Sequence, residues 1–292
     1  MEKKTKSSKG WVFIACILLT QMAVSQTKDE IRLLVRGDDI GSFTAANHAC
    51  IASCNEGIVR SLELMAPCAW FPEAVALLNE NPTIDVGVHL MLTSEWTNCK
   101  WRPLTQAPSL TDELGYFFPF IWPARNQSGQ SLQEAKWELS EIEAEFRAQI
   151  ELSKKHVSSL THISTHMGCA EWNEDVRTML RKLAKEYGLH WEAEMPPMKR
   201  FPRMNATNTD TAEQRIEAFI EALSQLEGGS LYMFIEHPGY DTPEMRSVGH
   251  VGYEHVAQDR DGVTKIFTDK RVLDYIKQKG IRLVSYDDVA IR

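Results

Sequence analysis

Ile31-Arg32-Leu33-Leu34-Val35-Arg36-Gly37-Asp38-Asp39-Ile40-Gly41 is the stretch that decides the fold. A mostly apolar run, Ile31–Val35, has the composition of a strand with little exposed surface. It ends in two adjacent carboxylates between glycines, and a helix-length segment, Thr44–Asn55, follows at once. The same unit recurs outward from it. Strand-like runs stand at Ser61–Met65, Val86–Leu92, Leu160–Ser164, Trp191–Glu194, Leu231–Ile235 and Ile281–Ser285. Helix-period segments stand at Phe71–Asn79, Gln133–Lys155, Asn173–Tyr187, Thr211–Leu226 and Lys270–Lys279. Within the longest, Leu139, Ile142, Phe146 and Ile150 fall on one stripe that must face a core. Gly188, Gly228 and Gly280 follow helices, where a left-handed cap is expected. Alternation of this kind means parallel strands joined by helical crossovers. The spacing predicts an α/β protein with a TIM-like (β/α) barrel, incomplete and of about seven strands. No GxGxxG or Walker loop is present, which removes the usual mark of the nucleotide-binding α/β folds.

The rest of the chain narrows the class. With 292 residues, 43% hydrophobic and 25% charged, it has ordinary globular usage, and its formal charge of −8 leaves no electrostatic footprint for nucleic acid. Lys3, Lys4, Lys6 and Lys9, the apolar run Trp11–Thr20 and Ala23-Val24-Ser25 have the order of an export signal. Cleavage before Gln26 is expected, placing the protein in the periplasm or outside the cell with no membrane span. The remaining domain, residues 26–292, would carry a charge of −11. Of its five cysteines none has zinc-finger spacing, and an odd number leaves at least one thiol free.

Residues 94–131 break the rhythm. They hold Trp96, Trp101, Tyr116, Phe117, Phe118, Phe120 and Trp122 among four prolines. So many aromatics argue against disorder. Two readings stay open: a rim offering Trp96, Trp101 or Trp122 to a sugar ring, or aromatic glue between loop and barrel.

In a parallel barrel the chemistry gathers at the C-terminal ends of the strands. Asp38 and Asp39 follow the first strand, and His89 interrupts the apolar Val86–Leu92. His162 and His166 end the fourth strand, and Glu236-His237-Pro238-Gly239 the sixth. Imidazoles with one carboxylate form a mixed N/O set suited to Zn²⁺, Mn²⁺, Co²⁺ or Ni²⁺. The second carboxylate of the pair is left to act as a base. His162 lies on the same face as His166, as a further ligand or a buried neighbour. His250 and His255 fall in a polar loop with Arg246 and Arg260, where Arg260 is a candidate substrate contact.

At these positions the sequence resembles the YdjC-like carbohydrate deacetylases, which include chitooligosaccharide deacetylases. Asp38-Asp39-Ile40-Gly41 with Asn47 resembles the family's opening motif, and Val86-Gly87-Val88-His89-Leu90-Met91-Leu92-Thr93 its Gly-x-His-Leu-x-Leu-Thr. Arg102-Pro103-Leu104 and Gly115-Tyr116-Phe117 resemble its long loop, Ser164-Thr165-His166 its Asp-Ser-His, and His237-Pro238-Gly239 its late motif. The resemblance implies an incomplete barrel that removes acetyl groups from N-acetylated sugars with one divalent metal, described as Mg²⁺. It implies Asp39, His89 and His166 as metal ligands, Asp38 as the catalytic base, and His237 as a catalytic acid or oxyanion partner. Ser164 stands where the family has an aspartate, and Gly168 where it has a further histidine. An arginine the family places on the next strand is missing from Trp191–Glu194. The first change implies loss of a carboxylate that orients a ligating histidine. Two other readings compete: an O-acetyl esterase on the same scaffold and a non-catalytic glycan-binding protein. The sugar, the linkage and the oligomeric state stay open.

Overall fold

A computed structural model describes residues 29–123 and 129–290. The expected export signal, residues 1–25, lies outside them, as do residues 124–128 of the aromatic loop. The elements run β1 (Arg32–Ile40), α1 (Thr44–Asn55), β2 (Ser61–Leu64), α2 (Phe71–Glu80), β3 (Asp85–Leu90), α3 (Leu139–His156) and β4 (Leu160–Thr165). They continue α4 (Glu174–Tyr187), β5 (His190–Trp191), β6 (Lys199–Arg200), α5 (Ala212–Leu223), β7 (Leu231–Glu236), α6 (Val256–Thr268), α7 (Lys270–Lys279), β8 (Arg282–Val284) and α8 (Tyr286–Val289).

The strands pair in parallel in the order β5-β4-β3-β2-β1-β7-β6. Among the described residues no pairing joins β5 to β6, so the sheet curls into an incomplete barrel open on that side. β8 lies against the first half of β1, Arg32–Leu34, whereas β2 pairs with its second half, Arg36–Ile40. Every strand read from the sequence is present. β6 is additional, and Trp191–Glu194 is strand only as far as Trp191 before a 3₁₀ turn, Glu192–Glu194. Pro196 and Pro197 follow that turn and cannot donate to a ladder.

Local chemistry explains the helix ends. Asn173 caps α4 by accepting from the backbone N–H groups of Asp175 and Val176, and Thr211 with Gln214 forms a capping box on α5. α3 begins at Leu139 rather than Gln133, and Leu132–Glu134 is a separate 3₁₀ turn. α6 corrects the reading of residues 250–260 as loop: from Val256 onward they are helix.

Strand alternation divides the sheet into two faces. Leu33, Val35, Leu62, Leu64 and Val86 pack outward under the helices. Leu34 points inward, where it meets Val284 and Tyr286 at the barrel floor. The same inward parity in the upper half carries Arg36, Asp38, Glu63, His89, His162 and Ser164, all buried. The upper half of the barrel is therefore filled with polar groups. Burying so many is costly unless each finds a partner, which concentrates hydrogen bonds here.

Candidate active site

The register of β1 shifts between Gly37 and Ile40, and Asp39 takes a left-handed backbone with φ +71°. Asp tolerates that region better than most residues. The shift interrupts the alternation, so two adjacent carboxylates both enter the barrel. The Asn47 carboxamide oxygen, 2.6 Å from the Gly41 N–H, fastens the turn from below. Arg36 donates to both oxygens of Asp38 at 2.6 and 2.8 Å. Its remaining nitrogen bonds Glu192 and the Tyr286 hydroxyl. Arg260 of α6 donates to Asp39 Oδ2 at 2.7 Å.

Around the other oxygen, Asp39 Oδ1, stand His89 Nε2 at 3.8 Å and His166 Nδ1 at 3.5 Å. The ligand atoms of Asp39, His89 and His166 lie within 4.8 Å of one another, and all three side chains are buried. Asp39 Oδ1 has no hydrogen-bond partner. An unpaired, buried carboxylate oxygen facing two imidazoles is a donor set that fits a divalent cation. Asp38 Oδ2 is 3.7 Å from His89 Nε2, beside the cluster rather than in it.

Charge favours the same arrangement. Burial opposes ionisation of Asp39, but Arg260 and the nearby imidazoles outweigh it and hold the carboxyl well below the usual range. Burial, with His166 beside it, pushes His89 well below its ordinary value, leaving a neutral ring with a free lone pair. Burial also opposes protonation of His166, yet Glu95 and Asp39 carry it up to about 10. The negative neighbours thus favour a positive charge at this point, and a cation bound there would compete with that proton. His237, at the end of β7 with its side chain 38% exposed, lies at the rim. Burial lowers its affinity for a proton, but the Asp39 charge raises it above normal.

Each of the two imidazoles is braced from behind. His166 Nε2 is 3.3 Å from Glu95 Oε2. His89 Nδ1 is 2.7 Å from the Ser164 hydroxyl, which is in turn bonded to Glu63. Glu63 also takes His162 Nε2 at 2.7 Å, so His162 is a buried neighbour and stands outside the cluster. Sequence reasoning missed Glu63, Glu95 and Glu192. The signal for Glu63 was present: a lone carboxylate inside the apolar run Ser61–Met65.

The sequence model of the family described as YdjC-like protein matches residues 32–278. The chain belongs to the YdjC-like family. A carbohydrate deacetylase from Clostridium beijerinckii is 28% identical over 272 residues, covering 89% of this chain and all of that one. A carbohydrate deacetylase from Thermus thermophilus is 31% identical over 239 residues, covering 74% of this chain and 80% of that one. An Enterococcus faecalis protein described in connection with cellobiose-phosphate cleavage superposes with a TM-score of 0.70 at 24% identity. It covers 90% of this YdjC-like chain and all of its own, and it shares the fold.

The residues expected to meet substrate separate. Trp122 is 46% exposed and borders a cleft of about 700 Å³ that also reaches Arg36, Thr165 and Glu192 on the open side of the barrel. Trp96 and Trp101 do not offer a face to it, being 2% and 3% exposed. Trp96 packs on Arg260 and stacks on His250, and Trp101 meets Phe43. For these two rings the loop is glue. Arg260 likewise offers no exposed surface: it is 3% exposed and its Nη2 donates to Asp39, while its buried Nε and Nη1 have no hydrogen-bond partner. The cysteines Cys50, Cys54, Cys68, Cys99 and Cys169 are all unbridged. Among the described residues no helix is long and apolar enough to cross a membrane.

Proposed function

We propose that this protein is a metal-dependent deacetylase of N-acetylated sugars or oligosaccharides. The observation that carries the reading is the unpartnered Asp39 Oδ1 between two imidazoles, with a second carboxylate, Asp38, beside it. The named activity of its relatives, carbohydrate deacetylation, supports the same reaction class. Asp39, His89 and His166 would hold one divalent cation. When bound, it supplies Lewis-acid stabilisation of the acetyl oxygen and acidifies water; the ligand types favour Zn²⁺ or another transition metal over Mg²⁺. Asp38, fixed by Arg36, accepts the proton of the attacking water. His237, at the rim with a raised proton affinity, gives a proton to the departing amine. The sugar lies in the cleft on the open side of the barrel, with Trp122 at its edge. Export to the periplasm or beyond, read from residues 1–25, belongs to the same proposal. A glycan-binding role is disfavoured because binding needs no base beside a cation ligand.

Acetate release from a panel of N- and O-acetylated sugars tests it, using chelated protein with each metal restored in turn. Metal-dependent release from the N-acetylated members is expected. Release from the O-acetylated members alone would make the protein an esterase, and none at all from metal-loaded protein would refute deacetylation.

A further inference from the structure

Glu63 is wholly buried on β2 and takes no part in the chemistry above. Its surroundings are built around it. Oε1 faces His162 Nε2 at 2.7 Å, Oε2 takes the Ser164 hydroxyl, and Arg36 Nε lies 3.9 Å from Oε1. Gly87, opposite on β3, makes room: a Cβ there would come within 2.7 Å of His162 Cδ2 and closer still to Glu63 Oε2.

The direction of the hydrogen bonds follows from which groups can donate. An ionised carboxylate only accepts, so Ser164 must donate its single hydroxyl proton to Glu63. The Ser164 oxygen can then only accept from the ring at 2.7 Å, and the proton of neutral His89 is placed on Nδ1. Nε2 is left with its lone pair, and Nε2 is the nitrogen that faces Asp39 Oδ1. Burial would by itself keep Glu63 protonated, but His162 and Arg36 lower its proton affinity below normal.

We infer that Glu63 is a positioning residue which acts through the Ser164 hydroxyl to fix the tautomer and orientation of His89 for cation binding. A serine thus does not leave His89 without a carboxylate; the carboxylate reaches it from the neighbouring strand, one hydroxyl away. His166 receives the same service directly from Glu95. The inference rests on the proposed cation site, and its test separates the two.

Zinc affinity is measured by competition with a chromophoric chelator for the wild type, Ser164→Ala and the double variant Ser164→Asp with Glu63→Gln. Loss of a partner behind a ligating histidine typically costs 10- to 100-fold in metal affinity. Ser164→Ala, which removes only one oxygen, is therefore expected to bind zinc about 10- to 100-fold more weakly. The double variant, with a carboxylate placed directly behind His89, is expected to recover most of that loss. In ¹⁵N-histidine spectra of the zinc-loaded wild type, His89 is expected to show Nε2 ligation and a slowly exchanging Nδ1–H, which Ser164→Ala loses. Unchanged affinity and an unchanged Nδ1–H in Ser164→Ala would overturn the relay while leaving the cation site standing. So would His89 ligation through Nδ1. A wild type that takes up no zinc would overturn both.

Discussion

Replacing Gly87 by alanine tests how tightly the polar interior is built. The new Cβ would stand 2.7 Å from His162 Cδ2, where ordinary contacts begin at 3.4 Å, so its neighbours must retreat by at least 0.7 Å. Neither can do so freely. Glu63 is tied to Ser164 and His162, and the His162 ring is backed by Tyr286 at 4.0 Å between centroids. The substitution therefore separates the Glu63–His162 pair. Breaking a buried pair costs about 3–5 kcal/mol, a large part of the roughly 5–15 kcal/mol that holds a domain folded. At about 2–3 °C per kcal/mol for a chain of this size, Tm should fall by about 10 °C. Gly188→Ala is the control: its φ is +65° but its Cβ would meet nothing within 4 Å. It should cost only the roughly 1–2 kcal/mol of a left-handed alanine. Thermal unfolding followed by circular dichroism in chelator at pH 7 measures both. If Gly87→Ala lost no more than Gly188→Ala, the close packing argued for the interior would be wrong.

Further outcomes are open to measurement. Asp39→Asn, which suits the left-handed backbone, should weaken zinc binding, whereas Asp38→Asn should keep zinc and lose about 10²- to 10⁴-fold in turnover; near-normal acetate release by Asp38→Asn would exchange their roles. Trp122→Ala should raise KM for oligosaccharides by about 3- to 10-fold, the worth of one aromatic contact, and leave a monosaccharide unaffected. Equal losses on both substrates with a lowered Tm would make Trp122 structural. His162 faces Glu63 and Asp85, with Arg36 opposing and the neutral Tyr286 ring against it. Burial opposes its charge, but Glu63 raises its proton affinity in the fold. Its contribution is therefore full below the unfolded value of about 6.5 and lost as pH rises through the folded one. Urea unfolding of chelated protein should show a stability loss as pH rises above about 6.5 that His162→Gln reduces, and an identical pH slope in that variant would count against it.

Much of this was legible from residues, and the exceptions have physical causes. Short, mostly apolar runs marked the strands because outward side chains such as Leu33, Val35 and Leu62 must be covered by helices. α6 escaped notice because its buried stripe, Val256, Arg260, Val263 and Phe267, contains an arginine. A charge in an apolar stripe reads as solvent exposure unless its partner, here Asp39, is known. Gly262 also sits inside that helix, where Arg215 leaves no room for a Cβ. β6 is two exposed residues and has no pattern to read. Asp38, Asp39 and His166 could be named because they stand at strand ends, and His89 because it breaks an apolar run. Glu63 left a mark, a lone carboxylate in an apolar run, but its role, like that of Glu95, lies in what it touches across the barrel. Trp96 and Trp101 misled because aromatic content cannot say which way a ring faces.

The floor of the barrel also sets an order of events. Tyr286 closes the well from beneath, its N–H bonded to Ser61 and Asp85 and its hydroxyl to Arg36, a residue 250 positions earlier. A chain growing from the ribosome displays Asp38, Asp39, His89 and His166 long before Tyr286 emerges. Until then Arg36 lacks one of its anchors, and water has access from below to carboxylates that the finished protein keeps dry. Closing so long a loop is slow. The half-made protein therefore carries Asp39, His89 and His166 without the buried surroundings that they have in the finished one.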